Sequence, residues 1–170
     1  MVPDGDHPLK ERHMGQGKYD KYFIYDTPRH PEHPQSREID SDIPWCDAHY
    51  IDKELDGALP GAFYLETCMI LRAGSVPALQ ESHSHSFDEY LVFLGTNPKD
   101  QFDLGGEVEL WLGDEKHMIT RSCAVFAPAG MPHCPLVVHK VDRPFIFFTT
   151  GNGADYTREK SGAHHAPDRL

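Results

Sequence analysis

HSHSFDEYLVFLG, residues 83–95, decides how the rest of the chain is read. Two histidines, His83 and His85, are followed by Glu89 and then by an apolar run, residues 90–94, that closes on Gly95. In an extended strand, side chains at i and i+2 share a face, so the two imidazoles can converge on one point. Glu89 reaches that point if the chain bends between them, and Ser86 and Asp88 are residue types that favour a bend. Two imidazoles and a carboxylate meeting there begin a coordination shell for a divalent transition metal. One histidine on a strand is ordinarily a surface or hydrogen-bonded residue. Three ligand-type side chains at workable spacing, directly before a core-like strand, favour a metal.

A second stretch strengthens that reading. Residues 123–133, CAVFAPAGMPH, run from a short apolar strand through a Pro-Ala-Gly turn to His133, at the head of another strand over 136–139. A fourth ligand from a distant strand is what a pocket inside a closed sheet would supply.

Together the two stretches resemble the paired motifs of the cupin superfamily, G-x5-H-x-H-x3-E-x6-G and G-x5-P-x-G-x2-H-x3-N. His83, His85 and Glu89 fall on the first, and Pro128, Gly130 and His133 on the second. The resemblance covers residues 67–150. It implies that His83, His85, Glu89 and His133 ligate a metal inside an all-β, small double-stranded β-helix (jelly-roll) barrel. Four positions depart from the pattern. Pro77 and Ser122 stand where the motifs open with glycine, the first motif closes at Gly95 instead of at Thr96, and Val137 replaces the final asparagine. These touch turn geometry, not ligands.

The chain has 170 residues, one domain's worth with extensions. Its 27 acidic residues outnumber 16 basic ones for a formal net charge of −11, a surface that repels nucleic acid. No long apolar run or leader-like h-region is present, so the expectation is a cytoplasmic protein off the membrane. The four cysteines, with no CxxC pair, read as reduced and buried, Cys134 being notable for following His133.

Four segments are expected: a mobile arm (1–18), an irregular extension packing on the barrel or a partner subunit (19–60), the barrel (61–150) and a loose tail (151–170). Within the extension, 19–25 reads as a short strand and 41–50 as irregular. Residues 27–35 are proline-broken, and His49 is a candidate at the pocket mouth. Residues 63–72 read as a strand covered on both sides. Tyr64 is a pocket candidate there, and Arg72 is either a partner for a substrate carboxylate or a charged strand end. On the strand from Glu89, alternation places Glu89, Leu91 and Phe93 inside. Residues 96–106 read as a turn-rich connection. Residues 107–112 alternate with Val108, Leu110 and Leu112 inward, and 116–120 return as the hairpin partner. In 144–150, Phe145, Phe147 and Thr149 share one face and Ile146, Phe148 and Thr150 the other, either of which could face inward, and Phe93 with Phe147 could wall an apolar pocket or simply pack the core.

Three imidazoles and one carboxylate leave coordination positions open, the mark of a catalytic and not a structural site. Nitrogen and oxygen donors without thiolate suit Fe, Mn, Ni, Co or Zn. The resemblance implies a small-molecule, metal-dependent enzyme, with Fe(II) dioxygenase-like chemistry first and decarboxylase, lyase or isomerase work after it. The alternative is a non-catalytic metal- or ligand-binding barrel. Tyr64, Tyr90, His49 and Glu66 are candidate acids or bases, and the resemblance, together with the aromatics of the extension, implies a homodimer.

Overall fold

A computed structural model of the protein describes residues 18–25, 45–51, 61–75, 81–153 and 159–165. The readings of the N-terminal arm up to residue 17, the proline-broken stretch and Pro77 lie outside them.

Among these residues the fold is all-β, with no α-helix. One sheet contains β1 (Trp45–Ile51), β2 (Leu65–Ile70), β10 (Phe145–Gly151), β5 (Glu89–Leu94) and β8 (Cys123–Ala127), side by side in that order. The other contains β11 (Glu159–His165), β4 (Glu81–Ser84), β9 (His133–Val141), β6 (Asp103–Leu112) and β7 (Glu115–Arg121), with the two-residue β3 (Gly74–Ser75) also on β9. Every pairing is antiparallel. The faces meet over one apolar core that draws Ile70, Leu91, Phe93, Phe145 and Phe147 from the first sheet and Leu104, Val108, Leu110, Leu136 and Val138 from the second. This is the jelly-roll arrangement of two facing sheets.

Alternation in the sequence dictates the inner faces. Glu89, Leu91 and Phe93 are buried while Tyr90 and Leu94 are exposed. Phe145, Phe147 and Thr149 are the inward set of β10, opposite Ile146, Phe148 and Thr150. In register these rows face Tyr64, Glu66, Cys68 and Ile70 on one side and Ala127, Val125 and Cys123 on the other. The β6–β7 hairpin turns through Gly113-Asp114, with Gly113 at φ +62°, a left-handed conformation that glycine adopts without a steric penalty.

Local expectation and structure part at five places. Residues 19–25 hold a 3-10 turn, Asp20–Tyr22, instead of a strand. Their aromatics are more than half exposed and no neighbouring strand is recorded for them, so β propensity goes unused. Residues 45–51, read as irregular, form β1 at a sheet edge. A register shift between Asp47 and His49 breaks the period-2 pattern that would have revealed the strand. β6 begins at Asp103, inside the stretch read as a connection, because Gly105 (φ +76°) sits in a bulge and makes the strand look like a turn. β9 begins at His133 itself, three residues early. Within the stretch read as a loose tail, β11 lies along β4.

Two departures from the motif acquire a reason. At Gly95 a Cβ would stand 1.9 Å from the Asp103 carbonyl oxygen, so the chain crossing there admits only glycine. The Ser122 hydroxyl accepts the Gly95 N–H at 2.9 Å and donates to the Gln101 carbonyl at 2.7 Å, a bridge that glycine could not make.

Candidate metal centre

His83 on β4 pairs directly with His133 on β9, so two imidazoles come from neighbouring strands of one sheet. His85 follows β4, and a bend at Ser86 and Phe87 carries the chain to Glu89, the first residue of β5 in the facing sheet. That bend is clasped to the Pro-Ala-Gly turn. The Asp88 carboxylate accepts the Ala129 N–H at 2.9 Å, and Gly130 donates to the His85 carbonyl at 2.8 Å. The Asn152 side-chain oxygen accepts the Asp88 N–H at 3.2 Å. With its two turns joined, the chain brings His83, His85, Glu89 and His133 together.

The ligand-type nitrogens of the three histidines lie within 4.8 Å of one another, and all four side chains are buried, Glu89 being 2% exposed. Glu89 Oε2 is 3.0 Å from His133 Nε2 and 3.4 Å from His85 Nε2. His83 Nδ1 lies 2.9 Å from the Glu81 carbonyl oxygen and His133 Nδ1 3.1 Å from that of Met131. A carbonyl only accepts, so the proton of each neutral ring is on Nδ1 and Nε2 turns a lone pair inward. At His133 that lone pair faces Glu89 Oε2, a second acceptor, which is buried and takes no hydrogen bond of its own. Two such acceptors at 3.0 Å repel unless positive charge lies between them. Donors each about 2.1 Å from one ion in octahedral or tetrahedral geometry stand about 3.0–3.4 Å apart. The donor set therefore fits a divalent cation.

Burial alone would raise the Glu89 carboxyl, but when the rings are also protonated at Nε2 the hydrogen bonds from His133 and then His85 outweigh burial and lower the pKa to about 2. Glu89 is thus an anion at neutral pH. Its other oxygen, Oε1, accepts the Thr149 hydroxyl at 2.5 Å. The Phe87 ring stacks on His85, with centroids 4.8 Å apart and planes at 11°. Gly151 and Gly153 form its seat, since a Cβ at either would come within 2.4 Å of that ring.

The remaining candidates are scattered. Tyr64 is fully buried on the inner face, its hydroxyl 2.9 Å from Glu66 Oε2. Phe93 and Phe147 are register partners in the core, 5.0 Å between rings and two inward positions or more along their strands from Glu89 and Gly151. They pack the core instead of walling the metal pocket. His49 bonds the Thr67 hydroxyl at 3.1 Å on the outer face of β2, because the register shift in β1 turns it away from the Glu66–Cys68 face. Arg72 lies beyond the Ile70 end of β2, whereas the end beside Glu89 is at Leu65 and Glu66. Cys134 is a core residue. Sequence reasoning gave no role to Thr149 or Phe87. The available signal was a threonine on the inward parity of an otherwise aromatic strand.

No protein-family model and no curated protein matches the chain. Solved structures do. Peruvianin-I, a cysteine peptidase from Thevetia peruviana latex, is 15% identical with a TM-score of 0.53, over 90% of this chain and 85% of that one. At such identity the likeness is one of fold alone. A protein with a double-stranded β-helix domain from Klebsiella pneumoniae subsp. pneumoniae is 12% identical, TM-score 0.44, over 82% and 95% of the two chains. FeII HppE is 14% identical, TM-score 0.37, over 52% of this chain, which spans 42% of that protein's length. The fold itself is the double-stranded jelly roll of two facing antiparallel sheets.

Proposed function

We propose that the protein is a metal-dependent small-molecule enzyme in which His83, His85, Glu89 and His133 hold one divalent transition metal. The observation that supports it is the buried meeting of acceptors, Glu89 Oε2 against His133 Nε2 at 3.0 Å with the His133 proton committed to Met131. The carbonyls of Glu81 and Met131 fix the two ring tautomers, and Thr149 fixes the carboxylate, the outer support that metal ligands need. A bound ion of this class supplies Lewis-acid or redox chemistry to a substrate carrying adjacent oxygens. Donors without thiolate suit Fe, Mn, Ni, Co or Zn alike, and the motif resemblance puts Fe(II) and dioxygenase-like cleavage ahead of decarboxylation, elimination or isomerisation.

Anaerobic purification followed by elemental analysis tests the centre. About one metal per chain is expected in the wild type, and a large loss in His83→Ala and His133→Ala. Stoichiometric metal that survives both substitutions would remove these residues from the centre. Iron together with oxygen uptake on phenols or diketones supports the dioxygenase reading. A metal-loaded protein inert towards phenols, diketones and 2-oxo acids with every candidate metal counts against an enzyme.

A further inference from the structure

The inner face of the first sheet is chemically divided around Glu89. Towards β8 it is apolar, with Ala127, Val125 and Cys123. Towards β2 it is polar. Thr149 donates to Glu89, Glu66 stands directly opposite Thr149 on β2, and Tyr64 donates its phenolic proton to Glu66 Oε2 at 2.9 Å. Opposed residues on paired strands have Cβ atoms about 5 Å apart, so Glu66 shares the inner face with Thr149, the residue that donates to Glu89. Glu66 is half-buried, within reach of both the interior and solvent.

Resting on the metal centre proposed above, we propose that Glu66 is the proton acceptor for a hydroxyl-bearing small molecule, a phenol or enol with a neighbouring oxygen, that binds at the three histidines. Glu89 is unsuited to that task, since Oε1 takes the Thr149 proton and Oε2 faces two imidazoles. Tyr64 gives its own proton to Glu66 and so acts as a positioning residue. As the substrate O–H bond breaks, its electron pair stays on the substrate oxygen and the proton moves to a Glu66 carboxylate oxygen. The summed charge of substrate and Glu66 is unchanged, so no net charge enters the interior.

Catechol binding to the cobalt-loaded protein tests this, followed by calorimetry in two buffers of different ionisation enthalpy, which counts the protons released. Glu66→Gln should keep its cobalt, bind catechol about tenfold or more weakly, and release about one more proton per catechol than the wild type. Tyr64→Phe should keep the wild-type proton count with weaker binding. Equal proton counts in the wild type and Glu66→Gln would overturn the assignment, as would a cobalt-loaded wild type that ignores catechol. A wild type that takes up no cobalt overturns the metal centre and this assignment with it.

Discussion

Gly151→Ala adds one methyl group on the inner face of β10, behind the Phe87 ring. The new carbon would lie 2.3 Å from Phe87 Cε2 and 2.5 Å from Cδ2, with the Asp88 carbonyl oxygen at 3.1 Å. Carbon–carbon contact begins near 3.5 Å, so the ring must retreat by about 1.2 Å. It cannot do so freely, because its face is stacked on His85. The imidazole has to tilt or slide by a comparable amount, far more than the roughly 0.2 Å tolerance of a metal–ligand distance. Loss of such outer support costs about 10–100-fold in metal affinity, or about 1.4–2.7 kcal/mol. Overpacking adds a folding cost of about 1–3 kcal/mol that is also present without metal. Competition against a chromophoric zinc chelator measures the first quantity, and thermal unfolding in EDTA the second. In a Phe87→Ala background the ring clash is gone and only the tight contact with the Asp88 carbonyl oxygen at 3.1 Å remains, so Gly151→Ala should then lower zinc affinity much less, a coupling that a double-mutant cycle isolates. Wild-type zinc affinity in the single variant, or an undiminished loss in the Phe87→Ala background, would refute the reasoning.

Ser122→Ala removes both halves of the bridge between Gly95 and Gln101 and should cost about 1–3 kcal/mol, seen as a denaturant midpoint shift at unchanged slope. The Asp103 carboxyl is held below its ordinary 3.8, first by Arg143 at 2.8 Å and then by Asn97 and the Gly105 N–H. A depressed carboxyl stabilises the fold above its unfolded value and loses that effect as pH falls through the folded one. Asp103→Asn should therefore lower the Tm at neutral pH, with the gap closing below about pH 3.8; a constant gap from pH 7 to 2.5 would count against this. Acidification should also release the metal through proton competition for the three imidazoles, while Glu89, at about 2, stays ionised. Zinc affinity that stays flat down to pH 4 would contradict imidazole ligation. With Tyr19, Tyr22, Phe23 and Tyr25 all more than half exposed, the protein should sediment as a dimer at micromolar concentration, and a monomer would refute it.

How far the sequence reaches is visible in which residues it placed. Side chains with a period-2 pattern and one buried face were readable, so the inward set of β6 follows from hydropathy alone, that of β5 needed Glu89 as a ligand to orient it, and β10, apolar on both parities, left its inward face open. The meeting of His83, His85, Glu89 and His133 was legible because each spacing is short and local, leaving only one long-range step between two turns. What stayed hidden depends on departures from periodicity or on contacts across many residues. The shift at Asp47 to His49 concealed β1 and reversed the expected facing of His49. Phe87 resembles any loop aromatic until Gly151 and Gly153, distant in sequence, arrive beneath it at the C-terminal end of β10. Glu66 could be suspected but not ranked, since only strand register sets it opposite Thr149.

The centre draws three histidines from β4, the residue after it and β9 of one sheet, and Glu89 with Thr149 from the facing sheet. Its donors converge only when the two sheets have closed over the core, so an ion held there would bind the folded chain in preference to the unfolded one. Gathering an anion and the two inward lone pairs of His83 and His133 in a buried space opposes closure while nothing positive is present, and an ion removes that opposition. Metal binding and sheet closure are then one equilibrium.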